Sequence, residues 1–329
     1  MSTILVTGAC GFIGWKVCEK LLAGGDTVVG VDNLDDAYDV RLKQWRLAQL
    51  QGRPGFAFHR VDISDRDGVR SFGQSSRKSG RVDAVVNLAA RAGVRRSVTD
   101  PWVYVAANVN GTVNLLELCR ELDVGSFVLA STSSLYGEDT PAPFREDADT
   151  SRPLSPYAAS KKAAEAMAYS YHSLHGLDVT VLRFFTVYGP AGRPDMSLFR
   201  FVQWISEGRE VVVFGDGTQR RDFTYVGDVA NGVRAAALTA ARGYEIINLG
   251  SDKPIVLNDA IRLIEQLVGR RAAVRHEERH PADVEATWAD ISKARRLLGW
   301  QPETDFAAGV GELVDWYRRN RDWARDIVT

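Results

Sequence analysis

Two segments of the sequence contain residues whose types and spacing could do chemistry. The first is a glycine-rich turn with the spacing G-x-x-G-x-x-G, which runs from Gly8 through Gly11 to Gly14. Glycines permit a tight turn and a close approach of the main chain to a pyrophosphate, which the N-terminus of the following helix then faces. The second segment begins at Tyr157 and ends at Lys161. Together they predict a pyrophosphate cradle and a proton-transfer side chain, as an enzyme that uses a nicotinamide cofactor requires.

The spacing of Tyr157 and Lys161 places both side chains on one face of a helix, with the ammonium near the phenol. That cation and a positive nicotinamide ring favour the phenolate, so Tyr157 is a candidate base near neutral pH. A tyrosine and a lysine at this spacing are more often a solvated helix face. The functional interpretation gains support from the hydroxyl residues 131–134, which directly follow an apolar strand at the edge where α/β proteins bind ligands.

A carboxylate after the second predicted strand indicates which cofactor is used. Asp32 stands at the end of that strand, where it could accept hydrogen bonds from the adenosine ribose and would repel a 2′-phosphate. This favours NAD over NADP. The alternative is that Asp32 is an ordinary turn residue before Asn33.

The elements that must position these residues alternate along the chain. An apolar strand at 3–7, a helix at 12–23 and a strand at 27–31 make a βαβ unit, whose parallel pairing implies helices on both faces of the sheet. Further buried strands are predicted at 56–60, 84–88, 126–130, 179–184 and 245–249, with helices around 65–80, 104–122 and 157–174. The fold class is therefore α/β, with a doubly wound parallel (Rossmann) sheet.

The pattern changes beyond residue 185, where Pro190, Gly192 and Pro194 interrupt the chain. A short helix and an isolated strand at 210–214 follow, and the last helices are predicted at 257–267 and 307–319. We expect residues 1–185, with about 228–250, to form the cofactor-binding domain. Residues 186–227 and 251–329 would form a smaller C-terminal α/β substrate-binding lobe, and the two parts would share a rigid cleft.

The composition excludes several classes of partner. The 329 residues include 41 Lys and Arg against 42 Asp and Glu, so the charge predicts no nucleic acid and no anionic membrane as the main partner. The cysteines Cys10, Cys18 and Cys119 lack metal-ligand spacing, which predicts no metal site and reduced thiols in a cytoplasmic protein. No apolar run is long enough to span a bilayer, and the chain enters a strand without a leader-like segment.

Four further segments carry a resemblance to a known family. They are 87–90 (NLAA), 108–112 (NVNGT), 183–185 (RFF) and 221–228 (RDFTYVGD). With the glycine-rich turn and the Tyr-Lys pair, the chain resembles the extended short-chain dehydrogenases/reductases of the nucleotide-sugar epimerase and dehydratase group over essentially its whole length. The resemblance implies a catalytic group of Thr132, Tyr157 and Lys161.

The resemblance also implies the residues that hold the ligands. The implied NAD-binding residues are Gly8, Gly11, Phe12, Ile13, Gly14, Asp32, Asn33, Lys43, Asp62, Ile63, Leu88, Ala89, Ala90, Asn108, Tyr157 and Lys161. The implied substrate-binding residues are Arg95, Ser133, Ser134, Thr186, Arg193, Arg221, Arg279 and Asp283. Arg221 and Arg279 match the arginines that hold the nucleotide's diphosphate, for which a bidentate guanidinium is well suited. Arg279 could equally be a surface charge.

The residues after the catalytic hydroxyl indicate the reaction type within this group. Dehydratases place Asp-Glu there and UDP-glucuronate decarboxylases place Ser-Glu, whereas this chain has Ser133 and Ser134. An acidic proton donor is missing, which leaves epimerisation. Thr186 stands where UDP-galactose 4-epimerases usually have Asn. With the segments 33–46 (NLDDAYDVRLKQWR) and 92–95 (AGVR), the chain resembles UDP-glucuronate 4-epimerases most closely, which implies C4 epimerisation of UDP-glucuronate to UDP-galacturonate through a transient 4-keto sugar.

Two other functions stay open at this point. One is a UDP-glucose or UDP-galactose 4-epimerase, and the other is a non-catalytic cofactor-binding protein on the same fold. The chain departs from the pattern at Ala37, Arg91, Ala191 and Ala282, which affects the predicted sugar pocket more than the chemistry. The resemblance also implies a homodimer formed through the helices near 101–122 and 157–174, although these could simply cover the sheet.

Overall fold

The computed structural model describes residues 1–137, 140–239, 243–278 and 285–329. In chain order its strands are β1 (Thr3–Thr7), β2 (Thr27–Asp32), β3 (Phe56–Arg60), β4 (Ala84–Asn87), β5 (Ser126–Thr132), β6 (Asp178–Phe184), β7 (Thr186–Tyr188), β8 (Glu210–Phe214), β9 (Arg220–Tyr225), β10 (Tyr244–Leu249), β11 (Pro254–Val256), β12 (Ala273–Glu277) and β13 (Ala286–Thr287). Its helices are α1 (Phe12–Ala23), α2 (Val40–Ala48), α3 (Arg66–Ser79), α4 (Val94–Thr99), α5 (Trp102–Tyr104), α6 (Gly111–Leu122), α7 (Pro156–His175), α8 (Ser197–Glu207), α9 (Val226–Leu238), α10 (Leu257–Val268), α11 (Ser292–Leu298), α12 (Phe306–Arg319) and α13 (Arg321–Ala324).

Seven parallel strands form the central sheet, in the order β10-β6-β5-β4-β1-β2-β3. The chain runs outward from β1 to β3, then crosses back and continues from β4 to the other edge. The order therefore reverses between β1 and β4, and the carboxyl ends of these strands open the crevice in which doubly wound proteins bind their ligands. The predicted α/β fold with a doubly wound parallel sheet is confirmed.

The central strands are largely apolar because helices cover both faces of the sheet. On β1, Ile4 and Val6 belong to the core on one face and Leu5 to the core on the other. Successive side chains of a strand point to opposite faces, so a strand buried on both sides is apolar at most of its positions. This is why a continuous apolar run predicts these strands.

The smaller lobe contains two further sheets. In one, β9 pairs with β7, β11 and β13; in the other, β8 pairs in parallel with β12. The prediction of an isolated strand at 210–214 is therefore wrong, because its partner lies about sixty residues later in the sequence. The core on one face of the central sheet continues into this lobe, where Phe199 and Leu313 belong to the same cluster as Val6. The domain boundaries given above stay a prediction.

Two shorter helical elements lie between the strands and helices given above. A π-helical segment, Val105–Asn110, joins α5 to α6, and a single 3₁₀ turn, Ser133–Leu135, follows β5. None of the helices in the described ranges has the length and apolar character needed to cross a membrane. Among the same residues, no group of three or more His, Cys, Asp or Glu side chains is placed to hold a metal ion.

Candidate active site

The glycine-rich turn joins β1 to α1 at the carboxyl edge of the sheet. Gly8 has a left-handed φ of +67°, and a Cβ atom there would lie 2.7 Å from the main-chain nitrogen of Ala89. A Cβ on Gly14 would lie 2.0 Å from the carbonyl oxygen of Gly8, so only glycine lets α1 pack this closely on the turn. The turn and the start of α1 line a cavity of about 490 Å³. Because glycines carry no side chain, the main-chain N–H groups at this helix N-terminus are open to a pyrophosphate.

Asp32 ends β2 and lines the same cavity. Its Oδ2 accepts a hydrogen bond from the main-chain nitrogen of Cys10 at 3.0 Å, and its Oδ1 accepts one from that of Leu34 at 2.8 Å. These contacts fix the carboxylate between the glycine-rich turn and the loop after β2. A carboxylate fixed there suits the hydroxyls of an adenosine ribose and disfavours a 2′-phosphate.

Two cations meet at Asp35 on the wall of the cavity. Lys43 of α2 donates a hydrogen bond to one carboxylate oxygen, and Arg91 lies 2.8 Å from the other. Burial raises the pKa of Asp35, but the hydrogen bond from Lys43 and the charges of Lys43 and Arg91 outweigh it, so this pKa lies below its usual value. The ionised Asp35 therefore links the loop after β2 to the loop after β4.

The three predicted catalytic side chains come from two elements. Thr132 is the last residue of β5, Tyr157 lies in the first turn of α7, and Lys161 follows one turn later. All three line the cavity. The helix begins at this point because the side chain of Ser155 accepts a hydrogen bond from a main-chain N–H of the first turn, at 3.2 Å, and a proline takes the first helical position.

Lys161 is buried, with 4% of its surface exposed, and its Nζ donates a hydrogen bond to the carbonyl oxygen of Ala130 at 3.0 Å. Burial lowers the pKa of Lys161 to about 8, and the negative charge of Glu165 one turn away opposes this decrease. Glu165 is itself held by Ser131 at 2.6 Å and by two hydrogen bonds from Arg183, at 3.0 and 2.9 Å. The lysine therefore stays charged at neutral pH within a fixed polar network.

Tyr157 has a pKa above its usual value because burial disfavours the phenolate. A hydrogen bond with Thr132 and the positive charge of Arg193 oppose this increase, whereas the charge of Asp195 adds to it. The sequence predicts that Lys161 favours the phenolate, but burial dominates in this structure. A further positive charge beside the phenol is therefore needed before Tyr157 can accept a proton near neutral pH.

The ion pair of Arg193 and Asp195 also lines the cavity. The two side chains make two contacts, Nη2 to Oδ2 at 2.6 Å and Nε to Oδ1 at 3.1 Å. Burial disfavours the charged guanidinium, but the charge and the hydrogen bond of Asp195 outweigh this effect and raise the pKa of Arg193. A second carboxylate could bind this guanidinium in the same bidentate geometry.

The small hydroxyl residues predicted to bind substrate lie beside this cavity. Ser134 receives a hydrogen bond from the hydroxyl of Thr132 at 3.1 Å, within the 3₁₀ turn that begins at Ser133. Neither serine is among the described residues that line the cavity, although Thr132 is. Thr186 lines a small neighbouring cavity together with Arg193, which lines both. Their roles in binding stay predictions.

Asn108 lies in the π-helical segment and is buried. It is not one of the described residues that line the cavity. Its side-chain oxygen accepts a hydrogen bond from the main-chain nitrogen of Arg91 at 2.8 Å, and its nitrogen donates to the carbonyl of Arg91 at 3.0 Å. The same nitrogen donates to the hydroxyl of Ser160 at 2.8 Å. Asn108 thus connects the loop after β4 to α7, and its predicted contact with the cofactor stays untested.

Arg95 and Arg221 are both predicted to bind substrate, and Arg221 in particular its diphosphate, but neither is among the described residues that line the cavity. The guanidinium of Arg95 lies 4.0 Å from the ring centre of Phe214, and Arg221 donates hydrogen bonds to the carbonyls of Arg220 and Glu285. The other two predicted residues, Arg279 and Asp283, lie outside the described residues.

The remaining predicted cofactor residues all line the cavity, namely Phe12, Ile13, Asn33, Asp62, Ile63, Leu88, Ala89 and Ala90. Several lining residues are absent from the sequence prediction, namely Asp35, Tyr38, Arg96, Tyr104 and Asp195. Asp195 could have been found, because it follows Arg193 by two residues. The others have no local signal, since their place in the cavity depends on how the loops fold.

Comparisons with known proteins identify the family and the relatives of this chain. Residues 4–250 match the model of the NAD dependent epimerase/dehydratase family. The chain is 51% identical over 328 residues to UDP-glucuronate 4-epimerase of Thermodesulfobacterium geofontis, with 99% of each chain covered.

Solved structures of other epimerases also match this chain. UDP-glucuronic acid 4-epimerase from Bacillus cereus, in complex with UDP-glucuronic acid and NAD, is 37% identical, with a TM-score of 0.89 and with 97% of this chain and 99% of that chain covered. UDP-glucose 4-epimerase from Thermotoga maritima, with UDP-glucose, is 30% identical, with a TM-score of 0.86 and with 97% and 99% covered.

Proposed function

We propose a substrate and a reaction for this chain, which belongs to the NAD dependent epimerase/dehydratase family. The protein is an isomerase that catalyses the NAD-dependent C4 epimerisation of UDP-glucuronate to UDP-galacturonate through a transient 4-keto sugar. One observation carries the proposal: Tyr157 and Thr132 line the same cavity as the glycine-rich turn and Arg193. The candidate proton acceptor thus shares one cavity with the candidate pyrophosphate cradle and with a cation that could bind a uronate.

The cavity fits NAD on the chemistry of its walls. Gly8 and Gly14 leave no side-chain atoms where a pyrophosphate must approach, and Asp32 presents a fixed carboxylate to the ribose. When bound, NAD takes up the C4 hydride of the sugar and returns it, so no cofactor is consumed. Its positive ring also supplies the charge that Tyr157 needs to become a base.

Tyr157 accepts the proton of the sugar O4 when C4 is oxidised, and gives it back when C4 is reduced. Thr132 ends its strand within hydrogen-bonding reach of Tyr157 and can hold O4 in line. We assign to Lys161, which is fixed by the carbonyl of Ala130, the role of a positive charge that favours the phenolate. Rotation of the 4-keto sugar between the two transfers inverts C4.

The carboxylate of the sugar requires its own binding site. Oxidation at C4 makes a β-keto acid, which loses carbon dioxide if its C–C bond aligns with the carbonyl and if an acid traps the enolate. We assign the carboxylate to the hydroxyls of Ser133, Ser134 and Thr186 and to the guanidinium of Arg193. Hydroxyls hold the carboxylate without acting as an acid. Arg193 exchanges its partner Asp195 for the substrate in this proposal.

The nucleotide belongs to the smaller lobe in this proposal. We assign Arg95, Arg221, Arg279 and Asp283 to the binding of the nucleotide. We propose that residues 186–227 and 251–329 form this lobe.

We also propose a cytoplasmic homodimer formed through α5, α6 and α7. The large apolar side chains that are exposed on and between these helices are Trp102, Val105, Met167, Tyr169 and Leu174. Their exposure supports a surface that binds a partner. The three cysteines are free and buried, which fits a reducing compartment.

A substrate assay tests the proposal. Purified protein is incubated separately with UDP-glucuronate and with UDP-glucose, and the products are resolved. We expect UDP-galacturonate from the first and little product from the second, without net consumption of NAD. A UDP-glucose or UDP-galactose 4-epimerase would show the opposite preference. A non-catalytic binding protein would convert neither, but the presence of Thr132, Tyr157 and Lys161 in one cavity argues against it.

A further inference from the structure

A buried guanidinium lies between the cofactor turn and the loop that carries Arg193. Arg46, on α2, is fully buried, with 0% of its surface exposed. Its Nη1 donates to the carbonyl oxygen of Cys10, inside the glycine-rich turn, at 3.1 Å. Its Nε and Nη2 donate to the carbonyl of Ala191 at 3.1 and 2.7 Å, and Nη2 also donates to that of Gly192 at 3.2 Å. One side chain therefore binds the main chain of both segments.

The remaining contact of Arg46 shows how its charge is accommodated. Nη1 also donates to the hydroxyl of Tyr38 at 2.6 Å, and the guanidinium carbon lies 5.4 Å from the centre of that ring and 5.9 Å from the ring of Phe12. All five of these hydrogen bonds go to neutral acceptors. Lys43, one turn earlier on α2, instead pairs with the carboxylates of the cofactor site. The planar fork of Arg46 therefore fixes carbonyl positions, which a lysine ammonium with its single nitrogen cannot reproduce.

The loop that Arg46 binds has a conformation that needs support. Ala191 is buried and has a φ of +51°, in the left-handed region that is unfavourable for a residue with a Cβ. Such a conformation persists only where surrounding contacts fix it. The two donors on the Ala191 carbonyl are contacts of this kind. Two residues later, Arg193 lines the cavity beside Asp195.

We propose that Arg46 is a positioning residue for the carboxylate end of the sugar site. It holds the 189–193 loop on the glycine-rich turn and thereby sets the position of Arg193, without lining the cavity itself. The inference rests on the proposed function, because it takes Arg193 as the group that binds the uronate. It implies that the cofactor turn and the sugar-binding loop form one unit, joined through a residue that belongs to neither.

The test compares Arg46→Lys with Arg41→Lys, an exposed arginine on the same helix that pairs with Asp39. We expect Arg46→Lys to raise KM for UDP-glucuronate about tenfold, the size of a lost charge-assisted hydrogen bond, while Kd for UDP changes less than about twofold. Arg41→Lys should change neither quantity. If Arg46→Lys weakens UDP and UDP-glucuronate equally, Arg46 has only a general structural role and the proposal is wrong.

A double-mutant cycle tests whether Arg46 acts through Arg193. If Arg46 acts through Arg193, then Arg46→Lys should raise KM no further in a protein that already carries Arg193→Ala. Effects that multiply in the double variant would contradict the proposal. Should the lysine variant not fold, Arg46→Gln serves in its place, because it leaves no buried charge and keeps an amide that can donate to one carbonyl.

Hydrogen exchange separates this inference from the proposed function. In the holoenzyme, Arg46→Lys should accelerate amide exchange in residues 189–196 and in the glycine-rich turn, and Arg41→Lys should not. Unchanged exchange in both segments overturns the inference whatever the substrate is. Failure of the wild-type protein to bind UDP-glucuronate overturns the proposed function, and the exchange result still decides whether Arg46 holds the loop.

Discussion

The two halves of the cleft are built in different ways. In the cofactor half, the turn from Gly8 to Gly14 presents main chain to the cavity, and the carboxylate of Asp32 is fixed by main-chain N–H groups. The proposed sugar half contains the ion pair of Arg193 and Asp195. A main-chain cradle has one geometry and leaves no room for an added atom, whereas an ion pair can exchange a partner. The cofactor half should therefore be intolerant of substitution, and the sugar half should lose selectivity before it loses activity.

The largest effect is expected from Gly14→Ala in the cofactor half. The new Cβ would lie 2.0 Å from the carbonyl oxygen of Gly8, so the main chain of the turn must move. We expect NAD affinity, measured by calorimetry, to fall by about a hundredfold or more, because the cradle loses its shape. Gly311→Ala is the control, since a Cβ there meets no atom within 4 Å. Wild-type affinity in Gly14→Ala would show that the turn does not hold the cofactor.

Tyr157→Phe tests the residue at the junction of the two halves. Because the change removes the proton acceptor and little contact area, we expect kcat to fall by roughly a hundredfold or more while UDP-glucuronate still binds. Tyr169→Phe, on the exposed side of the same helix, is the matched control and should leave turnover unchanged. Near-normal turnover in Tyr157→Phe would exclude Tyr157 as the base.

Lys161 also lies at this junction, and its burial predicts a dependence of stability on pH. Folded Lys161 loses its proton at a pKa of about 8, whereas the ordinary value is 10.5. Between these values the unfolded chain binds more protons, so the wild type gains stability as pH rises and loses it as pH falls to 8. Relative to Lys161→Met, the free energy of unfolding of the wild type should rise by on the order of 3 kcal/mol across this window.

Urea unfolding of both proteins at several pH values between 8 and 10.5 measures this difference. Lys162→Met, on the next and more exposed residue, serves as the control for loss of a lysine from the helix. Parallel stability curves for the wild type and Lys161→Met would contradict the assigned pKa decrease.

Arg193→Ala tests the sugar half. We expect KM for UDP-glucuronate to rise about tenfold or more, the scale of a lost hydrogen bond to a charged group, with little change for UDP-glucose. UDP-pentose is monitored as the product of decarboxylation. Arg145→Ala is the control, because Arg145 pairs with Asp147 at the same two-residue spacing on the surface. Equal losses on both sugars, or none, would show that Arg193 does not bind the carboxylate.

The contrast between local motifs and contacts that are distant in sequence explains how much could be predicted from the sequence. The strand Thr3–Thr7 and the helix Phe12–Ala23 are predicted with the bounds that the structure has, because their signals are local. The helix α2 is not predicted, since two of its inward-facing residues, Lys43 and Arg46, are charged and hide its buried face. The pairing of β8 with β12 is also missed, because strand partners that are distant in sequence leave no local pattern.

The residues of the site also divide into short motifs, which are predicted, and distant contacts, which are not. The glycine-rich turn and the Tyr-Lys pair are short motifs whose spacing alone specifies their geometry. The contact between Arg46 and Ala191 joins residues 145 positions apart, and that between Arg91 and Asp35 joins residues 56 apart. Such contacts depend on how loops pack after the sheet has formed, so a single sequence does not reveal them. Sequence analysis therefore identifies the chemistry more readily than the contacts that position it.

The smallest effect is expected from Arg91→Gln, which removes a partly exposed ion pair on the cofactor side of the cavity. The side chains of Arg91 and Asp35 are 27% and 33% exposed, and Lys43 still holds Asp35 when Arg91 is replaced. A partly exposed ion pair contributes at most about 1 kcal/mol, so NAD affinity should change by less than about fivefold.

Calorimetry at two salt concentrations measures this change, and any difference from the wild type should shrink at high salt, because salt screens exposed charges. Arg120→Gln, in an exposed pair with Glu117, is the control. A loss of NAD affinity well above tenfold that persists at high salt would mean that an exchangeable side-chain pair, and not the main-chain cradle, governs cofactor binding. The two halves would then hold their ligands by the same means, and the sugar half would no longer be distinguished by its exchangeable ion pair.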